Sequence, residues 1–334
     1  MNISKHQESG NLLLNKRKRL PLIPKHILKA QKVHEPADHR FMSAARLLQS
    51  LWREERNLPI GSYRNLKGQK KRLGSRLGLD SGKKGMNFLT PEIAELVYKE
   101  YVYQEIGAFI DEERLWTNLL SSQPLCFNLF GMLKLDDGKA NRFFRYLFPD
   151  YVESVEGIYF EHSPARGNPD YTDDFTAFDV LVECTTPKGK SGHIAIEVKY
   201  SESMTEPLAQ LRPRYDELSR QSGLYRDADA KALRENPLQQ LWREHMLSRV
   251  MVQNERYETG LFILLYPMQN HLCERAAQRY QKHLISDDPA ESGFKTVILE
   301  DCIAAYQNMG ELDMAHALYG RYLDFERVED VIFS

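Results

Sequence analysis

The chain has 334 residues, 42% hydrophobic and 28% charged, with a formal net charge of −2. That length fits one large domain, or one domain with an extension, and the composition excludes a collagen-like chain, a disulfide framework or a wholly disordered polymer. The small total hides a division. Residues 1–85 carry 20 Lys and Arg against 6 Asp and Glu, and the remaining 249 carry 25 against 41, so a head of +14 precedes a body of −16.

Four cysteines (Cys126, Cys184, Cys273, Cys302) make no CxxC pair and no His/Cys ligand spacing. They read as reduced, mostly buried thiols of a cytoplasmic protein. No apolar run approaches the roughly 18 residues needed to span a bilayer, so no membrane partner is expected. Near the start, Leu12-Leu13-Leu14 gives way to Lys16-Arg17-Lys18-Arg19 instead of a signal peptide's apolar stretch. By itself that cluster is weak as a nuclear address.

Residues 1–40 are polar, basic and punctuated by Pro21, Pro24 and Pro36, and read as a loosely held arm. Met42, Ala45, Leu48 and Trp52 at helical spacing predict a helix over about 41–57. Residues 61–85 (GSYRNLKGQKKRLGSRLGLDSGKKG) interleave glycines with lysines and arginines and read as a flexible basic segment or linker, with a domain boundary near its end. Thr90-Pro91-Glu92 is a helix start, with Thr as N-cap and Pro at the first helical position. Helical periodicity runs from there through Leu120, bent near Gly107, and a shorter helix spans about 138–147.

From Val152 the period shifts to that of strands, at about 152–161, 175–185 and 192–200. The turn chemistry of Thr186-Pro-Lys-Gly-Lys-Ser makes the last two an antiparallel hairpin. Helices are expected at about 206–220 and 235–253, then a buried strand (259–266), a helix (270–284), a strand (294–300) and C-terminal helices. The segment GELDMAHALYGRYLD resembles half of a helical-repeat unit, but a single copy makes no solenoid and an ordinary helix is the better reading.

The hairpin carries the chemistry. Strand side chains alternate faces, so Asp179, Leu181 and Glu183 share one face, as do His193, Ala195, Glu197 and Lys199 on the next strand. A turn centred near Gly189 puts Asp179 across from about Lys199. Asp179, Glu197 and Lys199 then converge at one end, while the other face is apolar. Carboxylates gathered on a sheet repel one another, and a divalent cation relieves this by taking them as oxygen ligands. Mg²⁺ or Mn²⁺ held there polarises a phosphoryl oxygen and activates a water, with a lysine to steady the water or the developing charge. The bare tripeptide says little, since Asp/Glu-x-Lys also occurs at Asp137–Lys139 and Asp229–Lys231. Only Glu197–Lys199 lies in an apolar strand with a strand-borne aspartate across a tight turn. The bland alternative is that Asp179 ends an edge strand and Glu197–Lys199 is a solvated face with a cross-strand ion pair.

Asp179 with Glu197-Val198-Lys199 resembles the PD-(D/E)XK nuclease superfamily. Further blocks are similar to a bacterial restriction-endonuclease-like subgroup: SSQPLCFNLFG (121–131), FEHSP (160–164), FTAFDVLVE (175–183), IEVKYSE (196–202), QQLWREH (239–245) and LLYP (264–267). The likeness covers about residues 90–300. It implies an α/β fold with a restriction-endonuclease-like core, a central mixed sheet flanked by helices, over 86–334. Ahead of it stands a basic, partly helical extension over 1–85. It also implies a Mg²⁺-dependent (endo)deoxyribonuclease, with Asp179 and Glu197 as metal ligands, Lys199 as catalytic lysine and the Val198 carbonyl as a further ligand. The pattern departs in one place, because Ala177-Phe178 stand before Asp179 where the superfamily's name has Pro.

Glu161, ending the first strand beside this site, is a candidate ligand or water-binding acid, weighed evenly against an ordinary strand-end glutamate. Glu112 and Glu113, in the helix before the meander, match a position where nucleases of the resembled superfamily often place an acidic residue, but a solvated helical face is the better reading. Gln239, Gln240, Arg243 and His245 lie on a predicted helix, where Gln239 and Arg243 share a face that could contact phosphate or order the lysine. The alternative is that Gln240–Glu244 and Arg243 decorate the surface. His193 reads as structural. In the basic head, Lys70, Lys71, Arg72 and Arg76 are expected to meet nucleic-acid phosphates, with Tyr63 as a thin candidate for base stacking. DNA is the expected partner and RNA stays open. Cutting both strands would favour a homodimer. The rival readings are a catalytically silent DNA-binding module on the same fold, and a helical interaction scaffold.

Overall fold

A computed structural model describes residues 19–64, 68–108, 110–286 and 288–334. The tract 1–18, with Lys16, Arg17 and Lys18, lies outside the described residues. In chain order the elements begin with α1 (Lys25–Ala30), α2 (Arg40–Glu55), β1 (Ile60–Arg64), β2 (Lys70–Leu77) and α3 (Leu79–Lys83). Next come α4 (Pro91–Val102), α5 (Glu112–Thr117), α6 (Ser122–Lys134) and α7 (Asp137–Leu147). The meander β3 (Ser154–His162), β4 (Phe178–Thr185) and β5 (Ser191–Val198) leads to α8 (Pro213–Gln221), α9 (Gln239–Gln253), β6 (Thr259–Tyr266) and α10 (His271–Gln281). The chain ends in α11 (Pro289–Ser292), β7 (Phe294–Ile298), α12 (Leu299–Asn308), α13 (Leu312–Tyr322) and α14 (Glu326–Phe333).

The sheet order is β3-β4-β5-β6-β7, antiparallel across the first three strands and parallel across the last three. The parallel part is covered on both faces, and accordingly β6 reads TGLFILLY, apolar without alternation. On one face Val180, Val182, Ile194, Ile196 and Val198 pack with α6, α7, α12 and α13. On the other, Leu181, Ala195, Phe262 and Leu264 pack with Trp242, Met246 and Leu247 of α9 and with Tyr280 of α10. This is the expected α/β architecture, a mixed sheet flanked by helices, and it leaves no place for the helical-scaffold reading.

Several local expectations need correction. The glycine-rich segment is no loose linker: β1 and β2 pair antiparallel, and β2 packs on α2. Its glycines permit close contact, since a methyl on Gly61 would lie 1.9 Å from the Leu77 carbonyl oxygen. The described part of the arm is also held, because Leu20, Ile23, Leu28 and Val33 enter the main core. Beyond Pro91 the helix divides. It stops at Val102, Gly107 turns with φ +83°, and Asp111 caps α5 by accepting from Arg114 N at 2.8 Å. Helix α6 was not anticipated. Every residue from Ser122 to Gly131 is buried, so the segment has no polar stripe to betray its period. Helix α8 begins only at Pro213, which holds Arg212 extended at φ −125° and ψ 146°.

The head is joined to the C-terminal helices. Arg321 of α13 is fully buried and donates to Asn87 O at 2.6 Å and to Gln49 Oε1 at 3.4 Å, with its guanidinium 4.3 Å from the centre of the Trp52 ring. Among the described residues no helix is long and apolar enough to cross a membrane.

Candidate active site

The strand register sets three carboxylates in one rank. Phe160 pairs with Val180 and His162 with Phe178, so Glu161 of β3 stands opposite Asp179 of β4. One step beyond the pair Val180–Ile196, Asp179 meets Glu197 of β5. The expected pairing of Asp179 with Lys199 is therefore two residues off, because the ladder closes on Thr185–Ser191 and centres the turn on Lys188. A shift of two keeps the faces, so the same groups still converge. Like charges set side by side on adjacent strands oppose folding, which makes this rank a cost the fold carries for another reason. Glu161 also has φ +48°, a left-handed backbone that a residue other than glycine adopts only under constraint.

Lys199 is 5% exposed and Glu197 4%. The ammonium lies 2.8 Å from Glu197 Oε1 and donates to Gln240 Oε1 at 2.9 Å. The Gln240 amide nitrogen donates to Glu197 Oε1 at 2.7 Å and to Glu244 Oε1 at 2.9 Å. Asp179 Oδ2 accepts from Val198 N at 2.8 Å, and Gln123 of α6 donates to Glu161 at 3.2 Å. Glu202 tethers the chain beyond β5, accepting from Tyr200 N and, on α6, from Ser122 N. These groups line a cleft of about 500 Å³.

The electrostatics follow from this crowding. Burial, with Glu197 and Glu161 nearby, lifts the Asp179 carboxyl well above the usual aspartate range. Burial, chiefly, pushes Glu161 up to about 7. Glu244 is also raised well above normal, by burial and then by Glu197, and its Oε2 has no hydrogen-bond partner among the described residues. Burial works to lower the pKa of the Lys199 ammonium, but Glu197, Glu206, Glu202 and Asp179 outweigh it and hold the ammonium well above the usual lysine range.

The sequence candidates divide accordingly. Asp179, Glu197, Val198, Lys199 and Glu161 come together. Gln239 does not reach the lysine: its amide is paired both ways with the Ala209 backbone, at 2.8 Å each. Its neighbour Gln240 fills that place, since the helix turns one residue further than the pattern suggested. Arg243 lines the cleft but is paired with Asp174 at 3.1 Å. Arg76 is ion-paired to Glu113 and sits over the Tyr63 ring, whose hydroxyl donates to Glu35 at 2.9 Å. Lys70, Lys71 and Arg72 are exposed on β2. Glu112 and Glu113 line a separate groove beside this hairpin. His193 is buried against Ser248 and pushed down to about 3 by burial, a structural histidine. Gln123 was not singled out, although it lies inside a block that was, and Gln240 and Glu244, which the helix pattern allowed as surface decoration, instead join the network around Lys199.

Fold and site define an α/β protein whose mixed sheet presents Asp, then Glu-x-Lys, from adjacent antiparallel strands at the floor of a cleft. A family model described as the PD-(D/E)XK nuclease superfamily matches residues 36–324, nearly the whole chain. The chain belongs to that superfamily. Compared with curated proteins and with solved structures, it has no match in either.

The superfamily typically uses divalent metal ions, and the donor set can be tested for that. Asp179, Glu197 and the Val198 carbonyl offer hard oxygen ligands, and the mutual repulsion that lifts Asp179 is what a cation would relieve. Among the described residues no group of three or more His, Cys, Asp or Glu side chains is placed to hold a metal ion. Two carboxylates with open positions suit Mg²⁺, which keeps several waters and takes substrate phosphate oxygens.

Proposed function

We propose that this chain is a metal-dependent nuclease that hydrolyses DNA phosphodiester bonds, with Asp179, Glu197 and the Val198 carbonyl as metal ligands and Glu161 as an additional one. The observation that carries the reading is the contact between Lys199 and Glu197, 2.8 Å apart in a desolvated cleft, with Asp179 in the adjacent register position. A bound Mg²⁺ or Mn²⁺ supplies Lewis acidity toward the phosphoryl oxygen and lowers the pKa of a bound water.

The chain's own residues do the rest. Lys199 stays protonated and, pointed by Glu197 and Gln240, donates to the attacking water or to the charge that grows on phosphate. Its acidic neighbours keep it from serving as a base. Gln240 can make these bonds in one orientation only, because an ammonium must meet its oxygen and a carboxylate its nitrogen. The exposed lysines of β2 add sequence-independent attraction for a phosphate backbone.

The test is incubation of the full chain with plasmid, linear, single-stranded and RNA substrates, in Mg²⁺ or EDTA. Metal-dependent cleavage of DNA that is lost in Glu197→Gln and Lys199→Met supports the reading. Binding without cleavage in any metal would replace it with a silent DNA-binding module.

A further inference from the structure

Phe175 is 62% exposed although it lines the same cleft as Asp179. A lone exposed phenylalanine is common, but this one is held in place from three sides. Before it, Asp174 is buried and accepts from Thr172 Oγ1 at 2.6 Å, from Thr176 N at 2.9 Å and from Tyr215 Oη, besides its pairing with Arg243. At the residue itself, the Phe175 carbonyl accepts from Arg166 Nη1 at 3.3 Å. Beneath it, the ring rests on Gly107, where a methyl group would come within 2.9 Å of Cε1. The turn bearing Gly107 is in turn fixed by Glu105, which accepts from Ser163 N at 3.2 Å and from Arg166 Nε at 3.3 Å. One edge of the ring is supported, and the remainder faces solvent at the mouth of the cleft.

We infer that Phe175 is a stacking platform for an unpaired nucleobase beside the scissile phosphate, which makes single-stranded DNA, or a frayed duplex end, the preferred substrate class. The inference rests on the nuclease reading of this cleft and narrows it. Every base has a π face, and aromatic stacking is the sequence-tolerant means of holding a single strand. Inside a duplex those faces are covered by neighbouring bases, so a fixed ring meets one only where the strand is open. Arg114, on the cleft wall and 43% exposed, is ion-paired with Glu202 at 3.6 Å and could exchange that partner for the backbone on which the base is strung. An exposed apolar ring at a strongly acidic site also suits the neutral part of a polyanion.

The experiment uses the full chain and a single-stranded oligonucleotide carrying 2-aminopurine, in EDTA, with fluorescence as the readout. Wild type and Phe175→Trp should quench the base on binding. Phe175→Ala should lose the quench and bind on the order of 10- to 100-fold more weakly. With Mg²⁺, wild type should cleave single strands faster than blunt duplex, and Phe175→Ala should raise KM on single strands with little change on duplex. Quenching by Phe175→Ala equal to wild type, or faster cleavage of blunt duplex, overturns the inference and leaves the nuclease reading standing. Quenching that depends on Phe175 in a chain that cleaves nothing would instead sink the nuclease reading and leave the platform in place.

Discussion

The Lys199 ammonium donates to the Gln240 side-chain oxygen at 2.9 Å, across the gap between β5 and α9. Glu244, one turn further along, accepts from the same amide's nitrogen and so fixes which way the amide points. Gln240→Leu should therefore leave Lys199 charged but free to swing. Its effect should fall on kcat, by roughly 10- to 100-fold for a displaced catalytic group, with KM nearly unchanged. Steady-state kinetics on one DNA substrate decide this. A rise in KM at constant kcat would show Gln240 binding substrate instead of aiming the lysine.

Asp179 is the member of the rank whose charge sits least comfortably, since burial and two acidic neighbours oppose it. Asp179→Asn keeps an oxygen for the Val198 amide and removes the charge. Without metal the variant should melt a few degrees above wild type at about pH 8, while cleavage falls by several orders of magnitude, the trade expected of a site strained for function. Differential scanning fluorimetry with a cleavage assay checks both halves. A lower melting temperature would mean that the charge is already compensated in the free protein.

Much of this site was legible in sequence because strands encode it in a period of two. The alternation in FTAFDVLVECT and GHIAIEVKY fixes which residues share a face whatever the exact register, so a pairing error of two residues still brought Asp179, Glu197 and Lys199 together. Glu161 was visible too, as the last acid of its strand, although its left-handed backbone was not. What sequence could not show depends on tertiary contact. Helix α6 is buried all round and carries no amphipathic signature. Gln239 and Gln240 are adjacent and chemically identical, and only the docking angle of α9 decides which one meets the lysine. The hairpin over 60–77 was hidden by its glycines, of which Gly61 and Gly74 serve close packing on Leu77, Ser50 and Val33, while Gly68 takes a positive φ.

The raised acids also set a pH dependence. An acid raised by folding holds its proton longer in the native state. The stability it contributes is complete below its unfolded value near 4 and is lost as pH rises through its folded value, about 7 for Glu161. His193 and His245 act on the other side. Both are pushed down to about 3 by burial, so the unfolded chain binds more protons as pH falls below about 6.5, and stability declines. Because Asp179 and Glu244 are raised as well, the acids outnumber the two histidines, and metal-free protein should lose stability as pH rises from about 5 to about 8, the histidines offsetting part of the loss below about 6.5. Saturating Mg²⁺ should restore the alkaline limb, because it binds the carboxylates that protons leave, and should do little at about pH 5. Melting curves against pH, with Mg²⁺ and with EDTA, test this. An equal shift at both extremes would place the metal away from these acids.

The basic head is best tested by substitution, because Phe41, Ala44, Ala45, Leu47 and Leu48 lie in the main core and deleting them would remove folding energy along with charge. Lys70, Lys71 and Arg72 stand exposed on β2, whereas Arg76 is paired with Glu113. The triple change of these three residues to Ala should leave the melting temperature within about a degree, since exposed side chains contribute little to stability. If each one neutralises a phosphate, the slope of log K against log salt should fall by up to about 3. Cleavage at saturating DNA should persist, because none of the three lines the cleft with Asp179. Binding titrations across a salt series, alongside single-turnover cleavage, separate the two effects. An unchanged salt slope would mean that the excess positive charge of residues 1–85 serves the fold or another partner, and that the substrate's phosphates are met elsewhere, with Arg114 beside the cleft the first residue to examine.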